Sequence, residues 1–267
     1  MVYKRQVILL TTLKEVLRVL TVTGVLSCFF LSPTRAQVSL SDSAIALTML
    51  NVSFRSQIPG GDFADRFGFT STLGAEVGYK FSNNFYVIGG GFFMLGGTVN
   101  EDSILDAVLT QNGLVIGDDG VQTGFNLRQQ GFIIPISIGK IFPLGKPNPN
   151  CGIFVEVGGQ FIQHKIRINV PDNDAAALSG DYLKGYDRLT NGIGARQAIG
   201  YRYFSNNGYL NFGIGLEFSQ SFTQNRRTIN VDTGLRDASD RVELLSGFYV
   251  NWTYLLYKKA PSQFYFN

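Results

Sequence analysis

From Phe69 to Phe81 the chain alternates without a break. Phe69, Ser71, Leu73, Ala75, Val77, Tyr79 and Phe81 hold one set of positions; Thr70, Thr72, Gly74, Glu76, Gly78 and Lys80 hold the other. A period of two marks a strand with two unlike faces. The small and charged set has too few long polar side chains to be an ordinary wetted surface. It therefore predicts the inner face of a closed sheet whose apolar set points outward, the inverted pattern of a membrane barrel. Ser82-Asn83-Asn84 follows as a tight polar turn, and residues 85–95 return as the partner strand.

Read the same way, the chain holds eight candidate strands, at about 44–54, 69–81, 85–96, 126–142, 152–169, 192–204, 209–224 and 241–257. In 209–222, Leu210, Phe212, Ile214, Leu216, Phe218 and Phe222 alternate with Asn211, Gly213, Gly215, Glu217, Ser219 and Ser221. In 241–257 the outward set is Val242, Leu244, Phe248, Val250, Trp252, Tyr254 and Leu256, and Glu243, Gly247, Tyr249, Asn251 and Thr253 point in. Arg196 and Arg202 face inward from the sixth strand, Glu156 and Gln160 from the fifth. The first strand is ambiguous. In the fourth, Phe132–Ile136 blurs the alternation, and Pro135, which cannot donate to a ladder, predicts a bulge or an unpaired position.

The connections run long, short, long, short, long, short, long. The long ones lie near 55–68, 97–125, 170–191 and 224–240. This predicts an all-β fold, an antiparallel up-and-down transmembrane β-barrel of about eight strands, short turns facing the periplasm and long loops outside. Tyr79, Phe81, Phe85, Tyr86, Phe142, Tyr201, Tyr203, Tyr209, Tyr254 and Tyr257 lie near the short turns, where an interfacial aromatic belt belongs. Phe54, Phe67, Phe69, Phe125 and Phe222 would mark the opposite rim.

Residues 1–36 read as a cleaved signal peptide, with a basic start, an apolar run from Val19 to Leu31 and Ala36 before the cut; 37–267 is the barrel. The segment holds five of the 23 basic residues (Lys4, Arg5, Lys14, Arg18, Arg35) and one of the 20 acids (Glu15), so the mature chain has 18 bases and 19 acids, a net of −1. The precursor's positive charge thus belongs mostly to its leader, and no basic tract supports nucleic-acid binding. Cys28 leaves with the leader, so Cys151 is alone and no intrachain disulfide is expected. The mature chain has no run of 18 apolar residues, so a spanning helix is not expected.

The whole mature chain resembles the small eight-stranded outer-membrane barrels of the OmpA/OmpX-like type. Its Gly/Phe/Tyr-rich strands, the Ala36-Gln37 junction, residues 185–192 and Phe222–Arg227 are similar to uncharacterised Bacteroidota outer-membrane barrels. The resemblance implies a location in the outer membrane of a Gram-negative-type cell, and it implies no activity.

The inward charges Glu76, Lys80, Glu156, Arg196, Arg202, Glu217 and Glu243 predict a polar network in the lumen. An eight-stranded barrel is only wide enough for side chains to fill it, and arginines are expected among the glutamates. His164 is the single histidine, read as a lone exposed residue near or beyond the outer rim, with no serine at short spacing. Gly117–Gly120 and Asp172–Asp174 follow no calcium-loop spacing, and no metal or cofactor is expected. Residues 103–109 predict a short helix that caps the barrel or meets a partner. Tyr186, Asp187, Arg188, Arg226 and Arg227 are candidate loop-binding residues, because arginine forks suit phosphate and carboxylate groups. The functional expectation is a non-enzymatic structural or accessory barrel, within a secretion or uptake complex for instance, presenting its loops to a partner or surface ligand. The partners would be outer-membrane lipids including lipopolysaccharide, and other outer-membrane proteins. The alternatives are a small channel or lateral route for a small or apolar solute, suggested by Gly89-Gly90-Gly91, and a lipid hydrolase built on His164.

Overall fold

The computed structural model describes residues 40, 43–170, 175 and 178–256. The expected leader 1–36, Tyr257, Asp172–Asp174 and the tail 260–267 lie outside the described residues. Ten strands are present among the described residues. β1 is Leu47–Gly61, β2 Thr70–Lys80, β3 Phe85–Gly96, β6 Asn126–Pro143, β7 Gly152–Asn169, β8 Thr190–Phe204, β9 Asn211–Asn225 and β10 Asp240–Leu256. These eight close on themselves, in ring order β1, β10, β9, β8, β7, β6, β3, β2, every pair antiparallel. β4 (Val115–Ile116) and β5 (Gln122–Thr123) form a small hairpin inside the longest loop.

The wall alternates as its sequence does. Along β2, Thr70, Thr72, Glu76 and Lys80 are buried, while Leu73, Val77 and Tyr79 are exposed. The short turns use residues that tolerate left-handed backbone. Asn84 (φ 65°) ends the β2–β3 turn and Gly208 (φ 73°) the β8–β9 turn.

β1 runs seven residues past its expected end, through Pro59-Gly60-Gly61. Its pairing with β2 stops at Gln57, whereas pairing with β10 continues to Gly61. Pro59 thus lies where one edge of the strand is open, and a missing donor is tolerated there. Pro135 leaves an unpaired rung and no bulge. Pairing of β3 with β6 breaks between Gly89↔Ile136 and Phe92↔Ile133 and resumes in the same register.

The interior is layered, and its ends are apolar. At the short-turn end, Leu40, Leu47, Met49, Tyr86, Ile141, Cys151, Phe154 and Phe204 pack into one cluster. The turn residue Asn150 ties the segment before β1 to this floor, donating to Leu40 O (3.2 Å) and Ser43 O (3.0 Å) and accepting from Ile45 N (3.0 Å) and Lys80 Nζ (2.8 Å). At the long-loop end, the short helix α1 (Asp62–Arg66) and the 3₁₀ turn Asp102–Val108 turn inward. Phe63, Phe67, Ile104 and Leu105 bury there against Phe92, Met94, Ile162 and Leu245. This cap is apolar surface that an alternating wall alone does not announce, because it comes from the loops.

Candidate functional site

Between the two apolar ends lies a single chain of ion pairs. Arg55 Nη2 donates to Glu76 Oε1 (3.1 Å) and its Nη1 to Glu217 Oε1 (3.2 Å). Arg196 Nε donates to Glu217 Oε2 (2.7 Å), and its Nη1 reaches both Glu156 Oε2 and Ser137 Oγ (2.9 Å each). Arg202 Nη2 donates to Glu156 Oε1 (3.2 Å), which also accepts the Tyr86 hydroxyl (2.7 Å). Charges alternate along Glu76, Arg55, Glu217, Arg196, Glu156 and Arg202, and the six cancel. All six are buried. A charge in a dry interior is tolerable only when it is paired and hydrogen-bonded, and here each has at least one opposite neighbour. Aromatic faces complete the fit. The Arg55 guanidinium lies 3.5 Å from the Phe92 ring centre, and Arg202 sits 4.7 Å from Tyr86 and 5.1 Å from Phe154.

Lys80 stands apart from this chain, on Asn150 and the carbonyls of Ile45 (3.0 Å) and Phe81 (3.4 Å). Arg55 is the member that sequence reading missed, because it was assigned to a loop that is in fact strand. Its signal was available: outward Val52 and Phe54 alternate with inward Asn51, Ser53 and Arg55, the same two-residue period as in β2.

Glu243 belongs to a second, separate contact. His164 Nε2 lies 2.9 Å from both of its carboxylate oxygens. The expected position of His164 on the rim is wrong. It is fully buried, with the Phe63 and Phe67 rings edge-on at 5.0 and 5.3 Å. β7 extends so far that this residue is still inside the cylinder, under the α1 cap. Among the described residues its hydrogen-bond partner is the Glu243 carboxylate and not a serine hydroxyl. Tyr86 and Phe67 also leave the aromatic belts. Tyr86 follows the inward parity of Glu76 and Lys80, and Phe67 is drawn into the cap. Phe125 packs half-buried against the same cap.

The outer mouth is braced by its own ion pairs. Arg66 donates to Glu101 (2.6 Å), Thr190 Oγ1 (3.1 Å) and Arg188 O (3.2 Å). Arg188 donates to Glu101 (3.0 Å) and Asp232 (2.6 Å), and its backbone is held at φ 50°. That conformation is uncommon for a side-chain-bearing residue and persists where several contacts fix it. Burial works to raise the Glu101 carboxyl, but Arg66 and Arg188 together outweigh it and hold it below its ordinary value. Asp187 takes both ends of the Arg227 fork (2.7 and 2.6 Å). Tyr186, Asp187 and Arg188 are thus buried and committed to neighbours. Of the candidate loop residues, Arg226 is exposed, with its Nε on Asn191 (2.6 Å). Asp119 accepts from Val121 N (2.9 Å) as a turn residue, and no metal-ligand cluster occurs among the described residues.

Outside, the wall is apolar around the ring. Val52, Leu73, Val77, Phe93, Ile136, Val157, Ile193, Leu216, Phe248 and Trp252 are all exposed. A continuous greasy exterior around a charged interior has one compatible solvent, the lipid bilayer, and a ring without edges is what allows strands to cross it. The protein is a transmembrane β-barrel. No protein-family model matches the sequence, and no curated protein matches it. Among solved structures, the chain is similar to Ail, the attachment invasion locus protein of Yersinia pestis, crystallised with the heparin analogue sucrose octasulfate, at 10% identity over 79% of this chain and 99% of that one, TM-score 0.40. Neisserial surface protein A aligns at 9% identity over 76% and 95%, TM-score 0.39. A major outer membrane protein of Thermus thermophilus aligns at 12% over 78% and 99%, TM-score 0.38. The assignment of the barrel itself rests on the closed strand ring and the polarity of its two faces.

Proposed function

We propose that the protein is a non-enzymatic barrel whose working part is the braced platform of loops above the cap, presented to another outer-membrane or surface protein. The observation that carries this reading is the filled bore, in which floor, ion-pair layer and cap succeed one another and occupy the lumen with side chains. What remains for function is the outer surface of the loops. There Tyr182 (71% exposed) and Leu235 (70%) stand out from the braced frame, with Ile229 and Val231 beside them. Exposed apolar groups above the bilayer, on loops fixed by ion pairs, suit a protein contact. A hollow of about 460 Å³ lined by Tyr182, Arg226, Arg227, Ile229 and Val231 joins an apolar floor to arginine donors, which favours a partner loop carrying a carboxylate next to an aliphatic or aromatic side chain.

The test is photo-crosslinking in living cells from residues 182, 229 and 235 of the full chain. A discrete adduct from these positions, absent when the crosslinker is moved to Ile116 on the neighbouring loop, is expected. A barrel that stays free at all three positions would refute the platform. A second reading, a lateral route for an apolar solute, is favoured by the unpaired rung at Gly90 and Gly91. The Phe92 ring and Arg55 fill its inner side. Steady conductance in a planar bilayer would promote that reading over the first.

A further inference from the structure

The longest strands of the barrel, β6 and β7, have 18 residues each, where a tilted strand needs about 9–11 to cross a bilayer. Their common ladder therefore projects well above the membrane. On its outward face the pairs read, from the lipid upward, Ile134↔Phe161, Phe132↔Gln163, Gln130↔Lys165 and Arg128↔Arg167. The inward neighbours Gln129, Ile166 and Ile168 are buried, so both arginines point away from the bore, and both are exposed.

Two like charges set directly opposite in a ladder repel and weaken the pair. Inside the bore, Arg55, Arg196 and Arg202 each have a glutamate. Arg128 and Arg167 make no hydrogen bond, ion pair or ring contact with any described residue. Lys165, one step below, has only a 3.8 Å approach to Asp187, a carboxylate that Arg227 already holds at 2.6 Å. The outward positions of β3, β6, β7 and β8 contain no aspartate or glutamate. Three cations thus line one outward strip, and among the described residues the one acid that approaches them is Asp187, beside Lys165.

We propose that this strip binds the phosphate groups of an outer-leaflet glycolipid, with Arg128 and Arg167 as the upper clamp and Lys165 as the lower contact. Depth decides the class of lipid. Each step along one face of a strand covers about 6.7 Å. At a tilt of about 40°, Lys165 lies roughly 5 Å above the Phe132↔Gln163 pair and the arginines roughly 10 Å above it. A phospholipid headgroup layer is only about 5–7 Å thick on each side. Lys165 sits at that level, and the arginines sit beyond it. Phosphates at both depths belong to a lipid with a bulky phosphorylated sugar head. Beneath them the Phe132 and Phe161 rings, 5.9 Å apart, give its acyl chains an apolar seat. This inference is independent of the loop platform and of any protein partner.

The full chain, folded in a neutral detergent and stripped of lipid, is titrated with rough lipopolysaccharide bearing a phosphorylated core. The same lipopolysaccharide after dephosphorylation, and inorganic phosphate as competitor, are run beside it. Binding is read by native mass spectrometry and melting by the loss of the folded band. The double variant Arg128→Gln/Arg167→Gln is expected to bind the phosphorylated lipid at least about tenfold more weakly, the effect of one lost charge-assisted contact or more. In lipid-free detergent it is expected to melt above the parent, because its like-charge pair is gone, and in the lipid to lose that advantage. Equal binding of dephosphorylated lipid, displacement by inorganic phosphate at millimolar levels, or a double variant that matches the parent in both affinity and melting would each overturn the assignment.

Discussion

Replacing Arg196 by Met tests whether the barrel's middle layer is held by charge balance. Arg196 is the link between two halves of the ion-pair chain: it binds Glu217 through Nε at 2.7 Å and Nη2 at 2.6 Å, and Glu156 through Nη1 at 2.9 Å. Without it the chain falls into Glu156 with Arg202, which is neutral, and Glu76, Arg55 and Glu217, which carry one uncompensated negative charge in the bore. Met fills nearly the same length, so the lost packing is small and the stranded charge dominates. Removing one partner of a buried pair costs about 3–5 kcal/mol. With a urea dependence of about 2–3 kcal/mol per molar for a chain of this size, the midpoint should fall by roughly 1–2 M. Barrel in lipid vesicles is unfolded in urea and followed by the fluorescence of Trp252, the single tryptophan, exposed on the lipid face of β10. Adding Glu217→Gln restores neutrality and should recover at least about 1 kcal/mol, the coupling expected of groups in one network. A midpoint that moves by less than about 0.3 M, or a double variant no better than the sum of the single losses, would show that the layer is held by something other than paired charge.

Two further perturbations separate neighbouring roles. Gly90→Ala should block folding, since a Cβ there would meet the Ala75 carbonyl oxygen at 2.1 Å, whereas Gly91→Ala points into open space and should change stability by less than about 0.5 kcal/mol; equal yields of folded barrel, read by gel mobility, would discount the crowding argument. Glu101→Gln should loosen the cap by about 1–2 kcal/mol, seen as faster amide exchange in Asp62–Arg66 and Asp102–Val108. Because the Glu101 carboxyl is held below its ordinary value, its contribution is present in full above that ordinary value and is lost as pH falls from there through the lowered folded value; parent protection should therefore drop on acidification below the ordinary carboxylate range, and the variant's should stay flat across it.

Much of the wall was readable because a barrel strand carries its two environments in one alternating string. Residues 69–81 fixed the phase of β2 without any partner, and β9 and β10 did the same. The first strand was misread at Arg55 for a physical reason. Pro-Gly-Gly is ordinarily a loop signal, and here it is tolerated because β2 ends before β1 does. His164 was misplaced although its strand was read at full length, because what buries it is Phe63 and Phe67 folding in from a loop, which the strand's own pattern does not record. The cap was only half legible. The 103–109 segment announced a helix, but burial of Phe63, Phe67 and Tyr186 depends on loops meeting over the bore, and no periodicity records that. The pairing of Arg188 with Glu101 and Asp232 lies in the same class. These residues are far apart in sequence, and their encounter is set by tertiary geometry.

The seam of the ring has a consequence for how such a protein can be made. Thr253 hands its hydroxyl hydrogen to Asn51, 202 residues earlier, across the joint between the last strand and the first. Until translation and export have delivered β10, β1 has one raw edge and no second neighbour, however completely the intervening hairpins have zipped. Closure is therefore the slowest kind of contact a chain can make, between its distant ends, and an unfinished copy is an exposed template for its own kind. Such a protein needs an escort until its final residues arrive, and losing even the last strand would cost it the whole cylinder.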